Sequence, residues 1–501
     1  MIEFETFTYR TMNERMFRIV TGVSLATILY KALAALQQLL LARVLGASEA
    51  ADAFFLAQVL PVLVAGLSYS ALCSSTIFLL GRTEKSDRGQ VTGMVLQTVG
   101  FFAVLILIFY LAGDWTIRLV APGSTTPMIR EATRIETLLL PILLFQAAGG
   151  VLAGILLSKR RVLAPPLSMC LMYASGLAGL WATVDGQATR LSVALSCGAA
   201  LQAVALFALL WRSGELGMPV WRGTQLRDLA AHALPVLGCN AVSTLFLVTD
   251  RSFASSLGPG QVAAVSYVYS LVTMPTQIIV NAVIGVCMPG WVSAGRDPVA
   301  FSDSVTRALS LLSFALLPIA IVMTLAADPL TRLVLGATRF TPTQLDSTAQ
   351  LLALYCPAIL GFAAKDALTA AAVAQGRSFA AFCIGAGSLA IAVSAKFIFV
   401  SEYGAAAIAH GTTFALIVSI AGLLATLSAS GEAVAIPRRF WHYSKGALLS
   451  AIPALALGAL LSHLLPGTGW IVASVALIAY TAVWASLGGP ASGLQLIRGR
   501  S

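Results

Sequence analysis

The stretch Leu39–Pro61, LLLARVLGASEAADAFFLAQVLP, decides the fold. It holds the end of one apolar run, a turn at Gly46-Ala47-Ser48 and the head of the next run. Arg43 and Asp52 flank the turn, and Asp52 is carried into an apolar segment that continues to Leu80. A carboxylate at that depth is costly unless it is paired or hydrated, which makes it a functional candidate. Pro61 lies inside the same segment, where lipid tolerates proline only if neighbours satisfy the freed carbonyl. A charge and a kink on one helix indicate a helix that lines a cavity.

Working outward, the same texture recurs along the chain. Hydrophobic residues make up 58% and charged residues 10%, with mean hydropathy +0.88. A soluble domain carries about 25% charged residues. Apolar runs of about 20 residues, enough to cross a bilayer, repeat from end to end. The reading is an all-α polytopic membrane protein with about fourteen transmembrane helices, at 19–42, 53–80, 91–113, 133–157, 163–184, 190–211, 230–250, 262–288, 306–326, 348–375, 378–400, 404–428, 446–464 and 469–487. The seven cysteines all fall in these spans without disulfide or zinc spacing, and read as small buried hydrophobes. The first residues show no cleavable signal pattern and read as a short cytoplasmic helix at the membrane surface.

Loop charge gives the orientation. Twenty lysines and arginines fall in the loops of one side and eight in those of the other, while Lys31, Lys365 and Lys396 lie within spans. The positive-inside rule places the twenty, and both termini, in the cytoplasm. The net charge of +10 is therefore a topology signal rather than one for nucleic acid.

Arg43 closes span 1 and Pro61 follows the pair Phe54-Phe55, just as Arg251 closes span 7 and Pro275 follows Tyr267 and Tyr269. This echo divides the chain into a cytoplasmic segment 1–18, a six-helix bundle 19–211, a linker 212–229, a second six-helix bundle 230–428, a linker 429–445 and two added helices with a cytoplasmic tail in 446–501. The two bundles are parallel repeats around a central cavity, and substrate sites usually lie at such a repeat interface.

The run Ala42-Arg43-Val44-Leu45-Gly46, then Ala51-Asp52-Ala53-Phe54-Phe55-Leu56-Ala57 and Leu60-Pro61, resembles the MurJ/MviN-type lipid II flippases. These belong to the multidrug/oligosaccharidyl-lipid/polysaccharide exporter superfamily, with the Wzx-type polysaccharide flippases and the MATE exporters. The resemblance covers the chain in architecture and Lys31 to about Leu80 in motif, with a weaker echo at Asp250–Pro289. Cations present in that family are absent here. Lys31 stands for an arginine, Gln37 and Gln38 for an adjacent arginine and aspartate, Ala65 and Gly66 for a basic pair, and Ser270 for an arginine.

The resemblance implies a flippase in the bacterial inner membrane that moves a polyprenyl-diphosphate-linked oligosaccharide by alternating access, without enzymatic chemistry or cofactor. The lost cations turn the expected cargo from the peptidoglycan precursor to an exopolysaccharide or capsule repeat unit. Partners would then be that glycan lipid, the bilayer, a polysaccharide polymerase and other assembly proteins, with no nucleic acid. The alternatives are a lipid II flippase for peptidoglycan synthesis, a MATE-like small-molecule antiporter and a scaffold without transport.

The expected substrate-binding residues are Lys31, Gln37, Gln38, Arg43, Asp52, Asp250, Arg251, Lys365 and Asp366, with hinges at Pro61 and Pro275. A deep lysine is a natural partner for diphosphate, and amides both donate to and accept from sugar hydroxyls. Bland readings stand beside each. Lys31 could pair with a structural carboxylate, Gln37 and Gln38 could bond between helices, and Arg43 with Asp52 could fix the turn. Asp250 and Arg251 have the same status at the second turn. Lys365 and Asp366, adjacent on a helix, would need separate partners. Lys396 is read as snorkelling, His410 as structural and Glu136 as interfacial. Gln58, Gln146, Asn240, Gln277 and Asn281 are lesser cavity candidates. No nucleotide motif appears, so an ion gradient, the membrane potential or the substrate gradient must drive transport. The small residues of 446–464, including Gly446 and Gly458, are expected to leave room for a lipid tail.

Overall fold

A computed structural model describes residues 2–82, 88–159, 161–182, 188–220, 225–293, 297–336, 340–428, 435–464 and 468–486. Lys85, Arg160, Arg222, Arg296, Arg339, Arg498 and Arg500 of the loop charge count lie outside them. The described residues contain helices and no strand. Backbone groups in lipid must be satisfied within the segment, and a helix alone does so without a partner strand.

The chain forms two compact units, one of residues 1–45 and 49–237, the other of 46–48 and 238–501. Unit 1 holds α1 (Ile2–Leu45), α2 (Glu49–Ala57), α3 (Val59–Arg82), α4 (Arg88–Ala112), α5 (Asp114–Val120), α6 (Thr126–Leu139), α7 (Pro141–Ser158), α8 (Ala164–Trp181) and α9 (Thr189–Arg212). The helix α10 (Gln225–Ala254) belongs to unit 2 from Gly238 onward. Unit 2 continues with α11 (Gln261–Ser293), α12 (Pro298–Leu325), α13 (Ala327–Leu335), α14 (Pro342–Tyr355), α15 (Ala358–Ala374), α16 (Ser378–Tyr403), α17 (Ala405–Ser428), α18 (Ala435–Leu464) and α19 (Gly469–Ser486).

Ten helices among the described residues are long and apolar enough to cross a bilayer, or eleven spans if α14 and α15, bent 43° apart, form one. The expected count of fourteen is not reached on that measure. The helices α8, α10 and α18, which overlap the expected segments 163–184, 230–250 and 446–464, fall short of it. Exposed apolar side chains such as Phe101, Leu107 and Leu111 on α4, or Phe397 and Phe399 on α16, supply the face a bilayer covers. Cys197 and Cys383 also lie on exposed surface, against the expectation that every cysteine is buried. Cysteine is small and apolar enough for either setting.

Each unit repeats a plan. A long span leads to a short helix, α5 or α13, with an aspartate in its first turn and an arginine in its last. A helix preceded by a threonine and with proline in its first turn follows, α6 or α14, and Thr341 caps the second through its side chain. Proline there is preorganised and lacks only an N–H that would go unbonded. The helix then breaks at a second proline, Pro141 or Pro357, before α7 or α15 continues. The packing is tightest where α3 meets α7. A Cβ added at Gly150 would lie 2.6 Å from the Tyr69 carbonyl oxygen, and one at Gly154 2.7 Å from that of Cys73. Glycine is required there so that two backbones can touch.

In unit 2, α18 and α19 pack on α12 through Leu317, Ile321, Ala454, Ala476 and Tyr480. The space expected beside Gly458 is filled by Leu325 of α12, because a small residue on a packed face draws its neighbour in.

Candidate functional site

The turn that opened the reading is well ordered by its own chemistry. Gly46 ends α1 with φ +62°, the left-handed conformation that glycine adopts without a Cβ penalty. Within unit 2, Tyr267 donates to the Gly46 carbonyl at 3.3 Å and the Gln344 amide to the Ala47 carbonyl at 3.1 Å. Tyr267 thereby clamps the turn. Arg43 is exposed and Asp52 fully buried, and no ion pair joins them among the described residues. Asp52 sits with Ala51, Ala53, Phe54 and Phe55 on the buried helix α2. Gln58 forms the break between α2 and α3. Pro61 accounts for it, since it has no N–H for the Ala57 carbonyl one turn back. Pro275, in contrast, lies inside α11, which runs unbroken from Gln261 to Ser293.

On α1, Lys31 is half-buried with its ammonium 5.8 Å from the Tyr30 ring centroid. Tyr30 in turn stacks on Tyr173 of α8 at 6.2 Å. Gln37 faces the same neighbour. It is buried, and a Cβ at Gly176 of α8 would lie 2.6 Å from its Oε1. Gln37 thus packs between α1 and α8. Gln38, one residue on, is half-buried, two turns from Lys31 on the same face. Gln146 also serves packing: its amide donates to Gln202 Oε1 at 3.0 Å, joining α7 to α9.

Unit 2 gathers charge around Asp250, which is 0% exposed. Its carboxylate pairs with the Lys396 ammonium of α16, also 0% exposed. Tyr355 of α14 donates to Oδ2 at 2.6 Å, and Thr412 of α17 to Oδ1 at 2.9 Å. Lys396 donates further to Thr249 at 3.3 Å. Four helices meet on one carboxylate. Snorkelling was expected of Lys396, but an oxygen-lined partner within reach outweighs the distant interface. Asp250 accordingly acts inside the bundle and not as a helix-end pair. Arg251 is buried and its Nε donates to Ser266 at 2.9 Å.

Lys365 of α15 is 3% exposed and donates to Ser243 of α10. It also meets its own neighbour Asp366 at 2.8 Å. Separate partners were expected for these two, but their side chains are long enough to close on each other around the backbone. Asp366 is half-exposed, as are Ser270 and Tyr269, and Gln277 and Asn281 on α11 are exposed. His410 is exposed too. Polar side chains on the open faces of spanning helices belong to water-filled space rather than lipid. A groove of about 580 Å³ in unit 1, lined by Arg161, Leu163, Leu167, Leu171, Ala205 and Leu209 among others, holds none of the expected site residues.

The two residues that sequence reasoning placed at an interface prove buried. Lys396 is one, and Glu136 of α6 is the other at 3% exposed, within bonding distance of Thr116. A lone charge inside an apolar run was the available signal for both.

The model of the lipid II flippase MurJ family matches residues 41–481. The chain belongs to this family. A lipid II flippase MurJ of Burkholderia cenocepacia is 23% identical over 374 residues, covering 69% of this chain and 71% of the relative. A probable lipid II flippase MurJ of Vibrio cholerae is 20% identical over 472 residues, 89% of each chain. In fold, the chain is similar to lipid II flippase MurJ in an inward closed conformation, with TM-score 0.78, 16% identity and 93% of this chain covered against 98% of that one. An inward-facing MATE transporter of the MOP superfamily gives TM-score 0.68 at 13% identity, covering 80% of this chain and 95% of that one. The chain is a multi-pass membrane protein of a family of transporters, not enzymes.

These matches overturn the expectation of an exopolysaccharide or capsule repeat unit as cargo. That expectation rested on missing cations. Of those positions, Gln37 packs against α8 and Ala65 is buried, while Gly66 is exposed and Ser270 half-exposed.

Proposed function

We propose that the protein is a lipid II flippase for peptidoglycan synthesis, in the bacterial inner membrane with both termini cytoplasmic. The observation that carries this reading is the match to the MurJ family model across residues 41–481. The open polar faces support it. Lys31 and Gln38, half-buried on α1, carry the cation and the amide that a diphosphate and a first sugar need. Within unit 2, Gln277 and Asn281 on α11 and Asp366 on α15 are open polar side chains of the kind a headgroup needs. Asp250, Arg251, Lys365 and Asp52 are buried, and their role is to position the helices that carry the open faces. Pro61, with the break at Gln58, supplies a point at which the α2–α3 span bends. No bond is made or broken: the headgroup crosses in water-filled space while its polyprenyl chain stays in lipid.

The test uses vesicles loaded with lipid II that carries a fluorophore on its peptide. An impermeant reductant added outside quenches only the outer leaflet. Protein-containing vesicles should lose nearly all fluorescence and protein-free vesicles about half. Equal quenching in the two would sink the proposal.

A further inference from the structure

The buried carboxylates of the two units differ in what surrounds them. Asp250 is met by an ammonium and two hydroxyls. Among the described residues no cation pairs with Glu136. Thr116 Oγ1 of α5 is 2.7 Å from its Oε2, and its Oε1 is buried with no hydrogen-bond partner among the described residues. The same Thr116 oxygen is 2.7 Å from the Gly113 carbonyl oxygen. Both separations are full hydrogen bonds. A hydroxyl carries one hydrogen and a carbonyl carries none. Two bonds among three oxygens therefore need a second hydrogen, and Glu136 is the group that can supply it. With Glu136 neutral, Oε2–H donates to Thr116 and Thr116 donates to Gly113. With Glu136 ionised, one hydrogen must serve both bonds and a buried anion stands without a counter-charge, which apolar surroundings disfavour strongly.

The neighbouring charges do not change this. On α6 itself Arg130 and Arg134 are exposed and Glu131 half-buried. The helix α2 brings Glu49, exposed, and Asp52, a second acid. The helix α5 brings Asp114 and Arg118, both exposed. From α9 come Ser192 and Ser196, with Arg190 exposed at its start and donating to the Ala182 carbonyl. From α3 come Tyr69 and Cys73, which lie against α7.

We propose that Glu136 is a proton-binding site, loaded in the arrangement seen here, and that it releases its proton to water when α5 draws away from α6. The proton arrives from bulk water and returns to it, so no other reactant is needed. Coupled to the flippase reading, on which this second half rests, the site makes the proton the ion that drives transport.

Two measurements on the full chain in lipid separate these claims. Infrared difference spectra of wild type minus Glu136→Gln at neutral pH should show a protonated carboxylic C=O band that shifts in D₂O. Thr116→Val should move that band without removing it. Carboxylate bands in its place would overturn the site. In lipid II vesicles under an imposed pH gradient, the wild-type rate should follow the direction of the gradient, and for Glu136→Gln the ratio of rates in the two directions should fall to unity. A Glu136→Gln protein that follows the gradient like wild type would overturn the coupling. A carboxylic band in a wild-type protein that flips no lipid II would leave the proton site standing and overturn the flippase reading instead.

Discussion

Lys396 and Asp250 form an ion pair in which neither side chain reaches the surface of unit 2. Removing one partner strands the other charge, at a cost of about 3–5 kcal/mol. Lys396→Met alone should therefore lower the thermal unfolding midpoint sharply. Adding Asp250→Asn should recover part of the loss, since the amide oxygen accepts from one of Tyr355 and Thr412 and the NH2 donates to the hydroxyl oxygen of the other. Additive losses in this double-mutant cycle, followed by tryptophan fluorescence in detergent, would show that the pair does not hold α10 to α16.

Lys31 is half-buried, so its pairing with diphosphate is weaker than that of a fully desolvated ion. Lys31→Ala should cost about 2 kcal/mol of headgroup binding, roughly a 30-fold loss in affinity. Lys31→Arg should keep most activity, because the charge stays over the Tyr30 ring. Fluorescent lipid II flipping at several lipid densities checks both. Unchanged flipping by Lys31→Ala would remove the residue from the site.

The contact at Gly150 is between backbones, so no side chain can move aside. Gly150→Val should destabilise the protein by at least about 1–3 kcal/mol through overpacking. Gly100→Val on α4 is the control, since a Cβ there meets nothing within 4 Å. Folded yield after detergent extraction should fall for the first and hold for the second. Equal yields would mean that the α3–α7 seam is looser than described.

Orientation is accessible through unit 1 loops. Met218, 90% exposed, lies in the loop after α9, and Gly123 is exposed in the loop before α6. In a cysteine-free background, Met218→Cys should label only after the membrane is opened and Gly123→Cys in intact spheroplasts. The reverse pattern would invert the topology. Ser444, within the expected linker 429–445, is unsuitable because it is buried and bonded to Ser310 at 3.0 Å.

Apolar runs and loop charges make the helical class readable from sequence, because a bilayer constrains composition directly. The break at Pro61 was readable for the same local reason. The repeat was sought at Arg43 and Arg251, yet it is plainest in the short helices α5 and α13 and the broken pairs that follow, where the polar and proline pattern is brief. Lys396 and Glu136 were misplaced because depth along a span was judged by sequence distance, and the carboxylate 146 residues from Lys396 that receives it leaves no mark in the local pattern. The cargo was misread because a missing cation says nothing until the position is known to face water.

The exposed apolar faces of α4 and α16 have a consequence for descent. At such positions a bilayer asks only that a side chain be apolar, so leucine, phenylalanine, valine and alanine interchange with little penalty. A large share of the chain can drift in this way without cost to its helices. That is how a TM-score of 0.78 coexists with 16% identity, and why pairwise identity understates kinship in a protein dissolved in lipid.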